Sequence, residues 1–108
     1  MVSRPTRDLA IIDGGSKTFA TDVAPGAEPL NLEGYGYVVG YPDAVLERLT
    51  EEHGMLSVDE DCDLQVGDTL QTIPNHICST VNLHDEVYLV GEDGVVEETR
   101  VAARGKVR

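Results

Sequence analysis

Lysine is nearly absent from this chain. Only Lys17 and Lys106 stand against twenty aspartates and glutamates, and the formal net charge is −12. A surface so short of positive charge is repelled by nucleic acid and by anionic membranes, which argues against both as partners. The imbalance suits a salt-adapted source and ordinary acidic proteins alike. Long apolar runs are missing too. No stretch reaches the roughly 18–20 apolar residues of a membrane span, and no apolar h-region follows the N-terminus, so the expected location is cytoplasmic. Cysteine is limited to Cys62 and Cys78. The two can pair in principle, but Cys62 lies in Asp59-Glu60-Asp61-Cys62-Asp63, which reads as a solvated acidic loop with an incidental thiol. The spacing of those acids is not that of a calcium loop.

What is present fits one small domain over residues 1–108, with 41% hydrophobic residues and room for a single modest core. Short strand signals dominate: Leu9–Asp13, stopped by Gly14-Gly15; Gly36–Gly40, turned by Tyr41-Pro42-Asp43; and Thr69–Ile73 after a Val66-Gly67-Asp68 turn. Residues 21–34 are rich in proline and glycine and read as a long loop. Glu86–Val90 and Val95–Thr99 flank Gly91-Glu92-Asp93-Gly94, a hairpin signal in which Asp-Gly supplies a positive φ. Arg100–Ala103 extend the last strand. Residues 44–53 have helical propensity with Asp43 as a cap, yet show no clean helical stripe. Among so many β segments they read as strand. The expected fold is all-β, a small twisted barrel or sandwich.

The segment Pro74-Asn75-His76-Ile77-Cys78-Ser79-Thr80-Val81-Asn82-Leu83-His84-Asp85 carries the most chemistry. Read as a strand, it places His76, Cys78, Thr80, Asn82 and His84 on one face, and Ile77, Ser79, Val81 and Leu83 on the other. Residues two apart on a strand lie roughly 6.5–7 Å apart, which lets an imidazole and a thiolate converge on one zinc ion. Taken bare, without further ligands, a His-x-Cys pair reads as structural or incidental.

Four ordered segments resemble one family. Pro74-Asn75-His76-x-Cys78, followed by Thr80-Val81-Asn82-Leu83, is similar to the metal-binding segment of the D-threonine aldolase and D-serine dehydratase family. Asp13-Gly14-Gly15-Ser16-Lys17-Thr18 resembles its Asp-x-Gly-Ser-Lys turn, and Glu51-Glu52-His53-Gly54 its Glu-His-Gly segment. Ala102-Ala103-Arg104-Gly105 resembles its C-terminus. The resemblance implies the C-terminal β-domain of a fold-type III, alanine-racemase-like enzyme whose N-terminal α/β barrel binds pyridoxal phosphate (PLP). Neither Lys17 nor Lys106 suits the Schiff base, so the chain looks like an excised domain or a split gene product.

By that resemblance His76 and Cys78 are ligands of Zn2+ (or Mn2+, or another divalent metal), with the remaining positions open. The metal binds the β-hydroxyl of a D-3-hydroxy amino acid, while PLP, in the complete enzyme only, takes up the carbanion electrons. The implied activity is that of a lyase, a D-threonine aldolase or D-serine dehydratase, acting as a homodimer. None is expected from this chain without a PLP-binding barrel. His53 either lines the active-site pocket as a catalytic residue or satisfies a turn before Gly54. His84 with Asp85 either supports the site or sits in an exposed loop. Asp13 and Lys17 form a buried pair, shape the cofactor pocket, or belong to a tight turn. They lack the spacing of a nucleotide-binding loop. The competing reading is a stand-alone β-barrel binding module that kept the motifs without catalysis.

Overall fold

A computed structural model describes residues 1–22, 26 and 33–106. Eight strands and two short helices follow one another: β1 (Ser3–Thr6), β2 (Leu9–Ile12), α1 (Ser16–Phe19), β3 (Gly36–Val38), β4 (Val45–Leu49), β5 (Gly54–Ser57), β6 (Thr72–Pro74), α2 (Ile77–Val81), β7 (Glu86–Val90) and β8 (Val96–Arg100). Strands β1–β6 form one sheet in the order β1-β2-β5-β4-β3-β6, with every neighbouring pair antiparallel. β7 and β8 form a separate hairpin.

The core lies on one face of the large sheet. Alternation along β2 turns Ala10 and Ile12 inward, and along β5 it turns Gly54 and Leu56 the same way. Register then brings Ala10, Leu56 and Leu46 into one cross-strand row, and all three are fully buried. Val38 on β3 belongs to the same core cluster, and Val58 and Leu64 join it from the loop after β5. Phe19, Tyr35, Tyr41 and Cys62 pack around its edge.

The all-β expectation holds, and residues 44–53 contain a strand as expected. The closed barrel does not form among the described residues: β1 and β6 remain the two ends of an open sheet. β6 is only three residues long and finishes on Pro74, which has no N–H to offer another strand. The predicted Thr69–Ile73 strand is therefore realised only at its end. The last strand stops at Arg100 instead of running to Ala103. Much of the expected 21–34 loop lies outside the described residues.

The hairpin matches its sequence signal. Gly94 takes φ +78°, and the Gly91 N–H donates to the Val95 carbonyl at 2.9 Å. Tyr88, Leu89, Val90, Val95 and Val96 are all exposed on it. Glu98 beside Tyr88 raises that phenol above its ordinary pKa, chiefly by accepting its hydrogen bond.

Cys62 differs from the sequence reading. It is half-buried against the core, and the Arg4 guanidinium donates to its carbonyl at 3.4 Å. Its acidic neighbours are exposed, as a solvated loop requires. Both cysteines are free.

Candidate metal centre

The corner that carries the motifs is assembled by α1. Its first two N–H groups, from Ser16 and Lys17, donate to the carbonyls of Thr50 and Glu51 at 2.8 and 3.1 Å. These lie in the turn between β4 and β5. The approach is close enough to demand glycine: a Cβ on Gly15 would stand 2.4 Å from the Thr50 oxygen and 2.5 Å from that of Glu51. On the other side of the turn, a Cβ on Gly54 would meet Leu46 Cδ1 at 2.7 Å and the Gly14 oxygen at 2.8 Å. The Asp13–Thr18 and Glu51–Gly54 segments thus interlock. Both N–H groups are occupied by backbone carbonyls, so this turn offers them to no phosphate.

Lys17 does not pair with Asp13. Its ammonium lies 3.5 Å from Glu51 Oε2 and contacts Glu52 Oε1. The Glu52 hydrogen bond, followed by that residue's charge, raises the lysine above its ordinary pKa. His53 is exposed in the same turn, where its N–H meets Thr50 Oγ1 at 3.0 Å and its carbonyl accepts the Thr50 N–H at 2.8 Å. Its backbone satisfies the turn while its side chain faces outward.

The opposite flank of α1 holds α2. Buried Thr80 places its hydroxyl 3.0 Å from the Phe19 carbonyl and 2.9 Å from that of His76. His84 Nε2 lies 3.1 Å from the Thr18 carbonyl. A carbonyl can only accept, so that nitrogen carries the proton. His84 is therefore a half-buried tie to α1 rather than an exposed loop residue. Asp85 pairs with Arg104, not with its neighbour.

The segment expected as one continuous strand is instead a helix from Ile77. His76 is the N-cap residue, still extended at φ −139°, and Cys78 lies in the first turn. The single alternating face therefore does not exist: His76 ends the extended segment and Cys78 stands in the first turn of the helix that follows. Both side chains are exposed. Around His76 stand Asp22, which the sequence reading does not single out, and Asn75 and Ser79 of the motif itself. Asp22 Oδ2 is 3.4 Å from His76 Nδ1 and accepts the Ser79 hydroxyl. Asn75 Nδ2 donates to the Gly34 carbonyl at 2.7 Å and to that of Asp22 at 3.3 Å.

Imidazole and thiolate are a donor set that suits zinc, so the residues fit a divalent metal by their chemistry. Their number fits only an open site, since no group of three or more potential ligands is assembled among the described residues. PLP does not fit the described residues. Lys17 is engaged with two glutamates, and Lys106 is exposed in the tail. A cavity of about 410 Å³ lies elsewhere, between the 40–44 loop and the acidic loop, lined by Tyr41, Pro42, Asp59, Cys62 and Asp63 among others. It contains none of the expected site residues. Burial and the nearby Asp63 carboxylate raise the Tyr41 phenol there.

Comparison with known proteins identifies relatives of the chain as a whole. An uncharacterized protein of Mycobacterium tuberculosis is 36% identical over 97 residues, covering 89% of this chain and 69% of that protein. A D-threonine aldolase of an Arthrobacter species is 31% identical over 107 residues, covering 97% of this chain but 25% of the enzyme. Among solved structures, the D-threonine aldolase of Filomicrobium marinum superposes with a TM-score of 0.77 at 29% identity, over 99% of this chain and 27% of that one. The D-threo-3-hydroxyaspartate dehydratase of a Delftia species gives 0.76 at 25% identity, over 93% and 29%. The chain thus spans about a quarter of the length of these enzymes. Among the described residues, no helix is long and apolar enough to cross a membrane. Residues 1–90 match the "Putative serine dehydratase domain" family, and the chain belongs to it, the C-terminal domain family shared with D-threonine aldolases and D-threo-3-hydroxyaspartate dehydratase.

Proposed function

We propose that residues 1–108 act as the metal-binding C-terminal domain of a PLP-dependent lyase for D-3-hydroxy amino acids, of the D-threonine aldolase or D-serine dehydratase type. His76 and Cys78 are the residues that would hold Zn2+, Mn2+ or another divalent ion. Such an ion would supply Lewis-acid stabilisation of negative charge on the substrate's β-oxygen. The observation that carries the reading is the corner itself: α1 clamps the β4–β5 turn with one end and α2 with the other. Three of the four family-like segments are thereby joined through α1. His53, outward-facing on the clamped turn, is the candidate to contact substrate from that side.

The rest of the enzyme belongs to the proposal. PLP would be carried by a separate α/β barrel, with the complete protein a cytoplasmic homodimer. The apolar side chains exposed on the β7–β8 hairpin offer a surface for that barrel to cover. The isolated chain then has no turnover of D-threonine or D-serine.

Metal content and thermal shift test the reading. Protein purified without chelator should contain zinc or manganese, or gain it on titration, with a metal-dependent rise in Tm that is lost in Cys78→Ser and His76→Ala. A folded chain that neither holds nor takes up metal contradicts it.

A second reading, a stand-alone module, has one observation in its favour. In the mycobacterial relative, 97 residues make up 69% of the protein, so it is about 140 residues long in all. That is too short for this domain plus a barrel of typically about 250 residues. Lyase activity restored by mixing this chain with a PLP-binding barrel protein would exclude that reading.

A further inference from the structure

We infer that Asp22 is the positioning residue of the candidate metal centre: its carboxylate holds the His76 imidazole as the Nδ1–H tautomer and leaves Nε2 as the nitrogen that a divalent cation takes. The inference rests on the metal reading above and deepens it.

A neutral imidazole has one N–H and one lone pair, so fixing one nitrogen fixes the role of the other. Asp22 Oδ2 stands 3.4 Å from Nδ1. An ionised carboxylate only accepts, so it repels a lone pair at that nitrogen and attracts a proton. The carboxylate is itself held in place, because the Ser79 hydroxyl donates to the same oxygen. The backbone of Asp22 is tied as well, by the Asn75 amide at 3.3 Å, and that amide is anchored at 2.7 Å to the Gly34 carbonyl. Every one of these contacts comes from residues 75–79, the segment that carries the candidate ligands.

The chain is bent toward this position at a cost. Ala20, two residues before Asp22, takes φ +61° and ψ −169°, a region that side-chain-bearing residues rarely occupy. The neighbouring histidine supplies the contrast. His84 gives its Nε2 proton to the Thr18 carbonyl, so that nitrogen has no lone pair for a metal. At His76 the arrangement is reversed: the Asp22 carboxylate faces Nδ1 as an ion-pair contact, and Nε2 makes no hydrogen bond among the described residues. Carboxylates that orient ligand histidines in this way commonly affect metal affinity by 10–100-fold.

The test has two arms, both on the 108-residue chain. Long-range 1H–15N correlation spectra of the metal-free protein, at a pH where His76 is neutral, report its tautomer. Wild type should show the Nδ1–H form. Asp22→Asn should keep it, because an amide oxygen still accepts, whereas Asp22→Ala should shift the population toward Nε2–H. Ser79→Ala, which frees the carboxylate without removing it, should shift it in the same direction. A wild type in the Nε2–H form overturns the inference, as does a ratio unchanged in Asp22→Ala. If Asp22→Ala fails to fold, the wild-type and Ser79→Ala spectra still decide.

The second arm is calorimetric titration with Zn2+ alone. Asp22→Ala should bind it about 10–100-fold more weakly than wild type. Binding unchanged in Asp22→Ala but lost in His76→Ala overturns the role of Asp22 and leaves the metal reading standing. Wild type that binds no zinc overturns the metal reading, and with it the positioning role, whatever the tautomer spectra show.

Discussion

Replacing Gly15 with alanine isolates the clamp on which the corner depends. Gly15 has φ −117°, a conformation open to any residue, so alanine meets no backbone objection there. The whole cost is steric. Its methyl would lie 2.4, 2.5 and 2.6 Å from three backbone atoms of Thr50 and Glu51, none of which can rotate aside. Relief requires α1 to lift off the turn, weakening the hydrogen bonds from Ser16 and Lys17. Overpacking costs about 1–3 kcal/mol and each lost backbone bond about 0.5–1.5 kcal/mol, so the substitution should destabilise by about 2–6 kcal/mol. For a domain of this size each kcal/mol lowers Tm by roughly 4–8 °C. Gly14→Ala is the control. Its added Cβ meets Phe19 Cε2 at 2.9 Å, the far end of a side chain that can turn, and should cost under about 1 kcal/mol. Because the chain has no tryptophan, urea unfolding is best followed by far-ultraviolet circular dichroism. Equal stabilities for the two variants, or a Gly14→Ala that is the worse of the pair, would refute the reasoning.

Other perturbations probe neighbouring parts of the same corner. Thr80→Val keeps the shape but leaves the Phe19 carbonyl without its hydroxyl donor. It should cost about 1–3 kcal/mol in urea unfolding and weaken metal uptake by loosening α2. Ala20→Gly relieves an unfavourable φ of +61°, and should raise stability by about 1 kcal/mol, seen as a higher Tm. Lys17 has a raised folded pKa because of Glu52 and Glu51. Its contribution is therefore complete below the unfolded lysine value of about 10.4 and is lost as pH rises through the folded value. The difference in urea midpoint between wild type and Lys17→Met should be constant near neutral pH and shrink above that value.

Much of this fold was legible because alternation and turn chemistry agreed. Ala10 and Ile12 alternate inward on β2, and Asp93-Gly94 announced the hairpin. Residues 44–53 read poorly as a stripe for a structural reason. Leu46 pairs with Leu56 but Arg48 with Met55, so Glu47 is an extra residue in a bulge that shifts the inward face. Helix α2 was hidden for the opposite reason. Ile77, Ser79 and Val81 alternate with polar neighbours, and three of its five residues are β-branched. What makes it helical is tertiary: Thr80 anchors it to α1. Asp22 left no signal at all, since it lies in a stretch where only proline and glycine stand out. The candidate ligands themselves were visible as residue types. Their mode of presentation was not, because the strand ends at Pro74.

The account depends most directly on one sulfur and one imidazole nitrogen sharing a cation. X-ray absorption at the zinc edge of the metal-loaded chain reads this without reference to activity. A shell of one sulfur at about 2.3 Å with nitrogen and oxygen at about 2.0–2.1 Å, the sulfur lost in Cys78→Ser, is the predicted spectrum. A zinc shell of nitrogen and oxygen alone, unchanged by Cys78→Ser, would contradict it.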